Sequence, residues 1–157
     1  MKIKEFYFVN ELTTITGLNK DTIHHLDIPF KISKDHPKTN RPVKVFYYKD
    51  FENLLNNSKV FDFNIPEYNK YQDKKRPVSR QFLDSNEASE FLALNGLKLR
   101  PRTIHSRIKQ KELPAYQIGR KYMIPIIFLI KLLGLSIDDD LEKKISIVTN
   151  EPYKFQL

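Results

Sequence analysis

Three short strings recur in the same order in the two halves of this chain, and that order restricts the fold more than any composition figure does. Asn10-Glu11 returns as Asn86-Glu87, Gly17-Leu18 as Gly96-Leu97, and Thr22-Ile23-His24 as Thr103-Ile104-His105, at offsets of 76, 79 and 81. The growing offset puts small insertions into the second copy, at 93–95 and around Leu99-Arg100. Spaced matches in a fixed order are what two copies of one supersecondary plan leave behind. The 157 residues have room for two units of roughly 70 residues each. With 40% hydrophobic residues, 8 Tyr and 11 Phe among the aromatics, each unit can build a small core.

The second copy shows the plan more clearly. Asp84 and Glu87 have the D-x-x-E spacing of a capping box, so a helix is expected from Ser85. Ala88, Phe91 and Leu92 give it an apolar face, and Gly96 stops it. Pro101 fits a first helical position, where its missing N–H costs nothing, and a second helix is expected to run to about Lys111. Ile104 and Ile108, four residues apart, face inward. Two strand-like runs, Leu113 to Ile118 and Tyr122 to Pro125, flank Gly119-Arg120-Lys121 and predict a hairpin with a basic tip. Residues 126–134 then read as a closing helix.

The first copy repeats this order with weaker signals. A helix over 10–16 ends at Gly17, and Asn19 caps a second over Lys20 to Leu26. Pro29 to Ser33 and Val43 to Tyr48 read as strands joined by the polar stretch 34–42, and 49–55 closes the unit as a helix. The expected division is a first unit over 1–58, a connector over 59–80 with Val60 to Ile65 alternating as a strand, a second unit over 81–135, and a tail over 136–157 packed on the units. The fold class expected is α+β, two small helical units each with an antiparallel hairpin.

A formal charge of +8 and a pI near 9.5 favour a polyanionic partner, either nucleic acid or an anionic membrane surface. The longest apolar stretch, Ile124 to Leu135, is interrupted by Pro125, Lys131 and Gly134 and falls short of the roughly 20 residues a bilayer requires, so no membrane insertion is expected. The absence of cysteine removes disulfides, thiolate nucleophiles and Cys-based zinc sites. The start, MKIKEFYFVNEL, lacks the apolar core of a secretory signal, so a cytoplasmic location is expected. His24, His25, His36 and His105 lack metal-ligand spacing, and Asp138-Asp139-Asp140 reads as a solvated helix start. Neither metal nor cofactor is expected, and no enzyme activity: a small relaxase or nuclease could draw on Tyr68 or Tyr71 but would need a metal constellation that the sequence does not supply.

The stretch Phe82 to Leu133, above all Glu112 to Pro125 (ELPAYQIGRKYMIP) after a Thr-Ile-x-x-x-Ile helix, resembles the winged helix-turn-helix of the excisionase and MerR families. The first half looks like a diverged member of the same group, with a longer wing and no Ile-Gly-Arg-Lys turn. A basic chain with two such units, and without the coiled-coil dimerisation helix of full MerR regulators, is similar to tandem winged-helix DNA-binding proteins of Gram-positive conjugative plasmids. The resemblance implies a monomeric internal dimer that binds double-stranded DNA, as a relaxosome accessory factor or transfer-gene repressor alongside other transfer proteins. The rival within the same resemblance is an excisionase-like architectural protein that bends DNA, and outside it an adaptor whose winged helices bind protein.

The DNA-facing residues expected in the second unit are Arg100, Arg102, Thr103, Ser106, Arg107 and Lys109 on its second helix, with Arg120, Lys121 and Tyr122 at the wing. Arg pairs bidentately with guanine and hydroxyls reach bases or phosphates. The plain alternative is a solvated helix face and a polar turn. In the first unit Lys20, Thr22, His24 and His25 are expected on the helix, with Lys31, Lys34, Lys38, Arg41 and Lys44 on the hairpin as phosphate contacts. The aromatics Tyr7, Phe8, Phe46, Tyr47 and Tyr48 are expected in the core.

Overall fold

Each half of the chain turns a helix pair onto its own small antiparallel sheet. The computed structural model describes residues 6–34, 41–63 and 79–154 and divides them into two units, residues 6–34 with 41–57 and residues 58–63 with 79–154. The class is α+β, with two three-stranded sheets.

The first unit runs β1 (Phe6–Phe8), α1 (Val9–Thr16), α2 (Lys20–His24), β2 (Lys31–Ser33), β3 (Val43–Tyr47) and α3 (Tyr48–Asn57), with strand order β1-β3-β2. Leu12, Ile15 and Thr16 recur at helical spacing and are buried, while Gly17 ends α1 at φ 75°, a left-handed conformation that a Cβ would disfavour. Asn19 Oδ1 accepts from Thr22 N at 2.8 Å and starts α2. Ile23, Phe46, Phe51 and Leu55 complete the core. Of the aromatics expected inside, Tyr7 and Phe46 are buried and Phe8, Tyr47 and Tyr48 are half-buried.

The second unit runs β4 (Phe82–Leu83), α4 (Ser85–Leu94), α5 (Pro101–Lys109), β5 (Tyr116–Ile118), β6 (Lys121–Pro125), α6 (Ile126–Leu133) and α7 (Asp139–Thr149), with strand order β4-β6-β5. The capping box is formed: Asp84 Oδ1 accepts from Glu87 N at 2.8 Å, and Glu87 Oε1 accepts from Asp84 N at 3.0 Å. Leu83, Ala88, Phe91, Leu92, Ile104, Ile108 and Leu129 form one core. Leu141, Ile145 and Val148 of α7 enter that same core, with Asp138 capping the helix through Leu141 N at 2.9 Å.

The two units match in register as well as order. Phe6 and Phe82 each lie three residues before the first helix, and they pair with Tyr47 and Pro125, the residues that immediately precede α3 and α6. Glu11 Oε1 accepts from Phe8 N at 3.1 Å, as Glu87 does from Asp84 N, which gives the offset of 76 a structural meaning. Phe8 has no side-chain acceptor, so only half of the box exists in the first unit. Ile23 and Ile104 are both fully buried, each four positions past its helix cap.

Several expectations need correction. Each expected two-stranded hairpin has a third strand, β1 or β4, which is too short to show a period in the sequence. The helix expected to reach Leu26 stops at His24, where the last turn tightens and Leu26 N donates to Ile23 O at 3.2 Å. The helix expected to reach Lys111 stops at Lys109, where Lys111 takes φ 63°. The strand expected over 60–65 is, among the described residues, one bridge from Lys59 to Tyr116, flanked by Val60 N donating to Ala115 O at 2.9 Å. Phe63 leaves the ladder there to pack edge-on against Tyr116 and Phe128, 5.4 and 5.6 Å between centroids, which ties 59–63 to the second unit.

Candidate nucleic-acid interface

The second helix of the second unit is held by its inner face and loaded with cations on its outer one. Ile104 and Ile108 are fully buried, whereas Arg102, Thr103, Ser106 and Lys109 are exposed and Arg107 is half-buried. At about 100° per residue, Arg102, Ser106 and Lys109 fall within roughly 60° of one another, opposite the two isoleucines. Thr103 and Arg107 take one flank and His105 the other. Arg100 stands at the cap position of the helix and makes no side-chain cap bond to the amides of the first turn.

The hairpin beside it turns in two residues. Gly119, at φ 62°, and Arg120 connect Ile118 to its partner Lys121, and Arg120 and Lys121 are exposed. Tyr122 is half-buried, its ring centroid 5.1 Å from that of His105. His105 in turn places Nε2 2.6 Å from Oγ of Ser85, the first residue of α4. Hairpin, second helix and first helix therefore meet at one histidine. Between Lys98 and Lys121 the sequence has eight Lys or Arg and a single carboxylate, Glu112. Most of the formal excess charge of the chain is concentrated there.

In the first unit the arrangement differs. Lys20 and His25 are exposed, Thr22 and His24 half-buried, and His25 Nδ1 donates to Asp21 O at 2.7 Å, which commits one ring nitrogen to closing α2. Lys31, Lys34 and Arg41 are exposed on or beside the sheet, and Lys38 lies outside the described residues. Lys44 is half-buried, its ammonium 4.2 Å from the Phe30 ring centroid and 3.4 Å from His24 O. By the repeat, Asp21 occupies the position that Arg102 has in the second unit.

Sequence reasoning missed His105 as the junction, because one half-buried histidine in a helix has no local signature. It also missed Phe30 and Ile32, which are 50% and 57% exposed, since an apolar residue in a strand-like run reads as core. Burial raises the Glu87 carboxyl at the start of α4 above its ordinary value despite Arg80 Nη1 at 2.9 Å. Among the described residues no three His, Asp or Glu side chains are placed to hold a metal ion, and no helix is long and apolar enough to cross a membrane. Comparison with protein-family models, curated proteins and solved structures finds no match to this chain.

Proposed function

We propose that the chain is a sequence-specific double-stranded DNA-binding protein made of two winged helix-turn-helix units. On this reading α5 enters a major groove with Arg102, Ser106 and Lys109 forward, while the β5–β6 turn sets Arg120 and Lys121 on the flanking backbone. What supports it is the concentration of eight cations against one carboxylate between Lys98 and Lys121, five of them on a helix and hairpin turn whose inner sides are anchored in the core. Such a surface displaces counterions from duplex DNA, so affinity should fall steeply with salt. The uncapped first turn of α5 adds amide donors for a phosphate.

The tandem arrangement, with two unequal units on one chain, fits a monomer reading a non-palindromic site. Its resemblance to tandem proteins of conjugative plasmids makes a relaxosome accessory factor or transfer-gene repressor the role we propose for it, acting with other transfer proteins in the cytoplasm. Selection of duplexes from a random pool followed by footprinting tests the reading. The expected outcome is an asymmetric protected site bound by one chain. A symmetric palindrome bound by two chains would count against the monomer, and no retained duplex even at low salt would overturn DNA binding altogether.

A further inference from the structure

The two units, alike in topology, differ in where they place charge and apolar surface. In the second unit the helix α5 has nine residues, three cations and no carboxylate. In the first, α2 has five residues, and Asp21 lies exposed at the position of Arg102, where it would repel a phosphate or a base-edge acceptor. Lys20 is exposed at the start of α2, and the sheet adds Lys31 and, just past its strand ends, Lys34 and Arg41, all exposed, with Lys44 half-buried. Two large apolar side chains lie beside Lys44, on the face opposite Lys31: Phe30 at 50% and Ile32 at 57% exposure.

These two share one face of the sheet. Ile32 lies directly across the ladder from Lys44, and the Lys44 ammonium sits 4.2 Å from the centroid of the Phe30 ring. Phe30 is held from behind by Phe46, which is buried, at 6.5 Å between centroids. The ring lies just before β2, which among the described residues is the edge strand of its sheet. A second copy of this chain would bring lysines against lysines at that edge. A polyanion with an apolar floor suits the surface better, since the cations face phosphates while the apolar pair meets sugar walls and base steps.

The geometry points to a division of labour: the first unit engages duplex DNA through its β2–β3 sheet, with Phe30 and Ile32 as an apolar wedge in the minor groove, and the second unit reads sequence through α5. This rests on the DNA-binding reading above and adds to it a site, a groove and a mechanical consequence. Wedging side chains partly unstack a base step and bend the duplex by about 20 to 90°. The bend would come from the unit whose helix is least suited to a major groove.

The test uses the full chain and a duplex it has selected from a random pool, labelled at both ends for energy transfer. Binding of the wild-type chain should shorten the end-to-end distance, and netropsin, which occupies the minor groove, should compete with it. The double substitution Phe30→Ser with Ile32→Ser should abolish the bend and weaken binding roughly tenfold. Ile32→Ser alone, at the more exposed site, should reduce both without threatening the fold, and Ile147→Ser, an exposed apolar residue on α7, should change neither. Wild-type binding with no bend, or a bend that survives the double substitution and resists netropsin, overturns the wedge but leaves the second unit's role standing. A wild-type chain that retains no duplex removes both. Capture of an acidic peptide at Phe30 and Ile32 in preference to duplex also overturns the wedge.

Discussion

His105 Nε2 lies 2.6 Å from Ser85 Oγ, and its imidazole meets the Tyr122 ring at 5.1 Å between centroids. One side chain on the proposed recognition helix therefore touches both the start of α4 and the hairpin. Ser85 is buried, so the bond is sheltered from water. This contact joins α5 to α4 and to the β5–β6 hairpin, the elements that on the DNA-binding reading present Arg102 and Arg120.

Ser85→Ala is accordingly expected to cost about 1 kcal/mol in chemical denaturation, the ordinary net value of one hydrogen bond. Its effect on DNA should be larger for the selected sequence than for a random duplex, because the loss falls on helix orientation and not on charge. Equal losses on both duplexes would make the bond a matter of stability only.

Arg102 and Lys109 share the outward face of α5 but are expected to differ in kind. Arg102→Ala should lower affinity for the selected site by about 1 to 3 kcal/mol and relax the preference at one base pair, as removal of a bidentate guanine contact does. Lys109→Ala should weaken all duplexes alike and reduce the slope of log affinity against log salt by about 1. Competition assays over a salt series separate the two. If Arg102→Ala behaves as Lys109→Ala does, α5 contributes backbone contacts alone.

The Arg80–Glu87 pair holds the start of α4. Arg80 and Glu87 are 8% and 18% exposed, joined at 2.9 Å, and Glu87 also closes the cap of α4. Arg80→Met should destabilise the chain by about 3 kcal/mol, since it leaves a carboxylate buried without its cation. Burial already raises Glu87, so its folded value exceeds the unfolded one, and the stability tied to its protonated form is lost as pH rises through the folded value. In a carboxyl NMR titration the Glu87 midpoint should lie above ordinary glutamate and rise further in Arg80→Met. Glu87→Gln added to Arg80→Met should recover part of the loss.

Much of this was legible from the residues. Asp84 with Glu87, Asn19, Gly17 and Pro101 each act through local backbone chemistry, and local chemistry is what a sequence encodes directly. The echo of Asn10-Glu11 in Asn86-Glu87 marked equivalent cap positions before any coordinates. What stayed hidden depends on residues distant in the chain. β1 and β4 are strands only because β3 and β6 pair with them, and two or three residues have no period to detect. Asp138 was readable as a helix start, but the packing of Ile145 and Val148 on α4's core was not, since an apolar run does not name its partner. Pro29 to Ser33 read as a strand, and only the structure shows the half-exposed Phe30 ring against the Lys44 ammonium.

Tyr153 offers a test of how firmly that C-terminal segment is docked. It follows α7, packs against the second unit's core, and its backbone N–H donates to Ser146 Oγ at 3.0 Å. Burial, with the Glu142 carboxylate nearby, pushes its hydroxyl up to about 12 from an ordinary value of 10.0. The unfolded chain therefore gives up this proton first as pH rises. The stabilising contribution is intact below pH 10 and disappears as pH climbs through about 12, so alkaline denaturation should begin in that window. Tyr153→Phe keeps the ring and removes the proton, and should shift the onset of alkaline unfolding upward. Absorbance titration of tyrosinate, compared between the two chains, checks it: a Tyr153 that ionises near 10 would mean that the segment is not docked in solution.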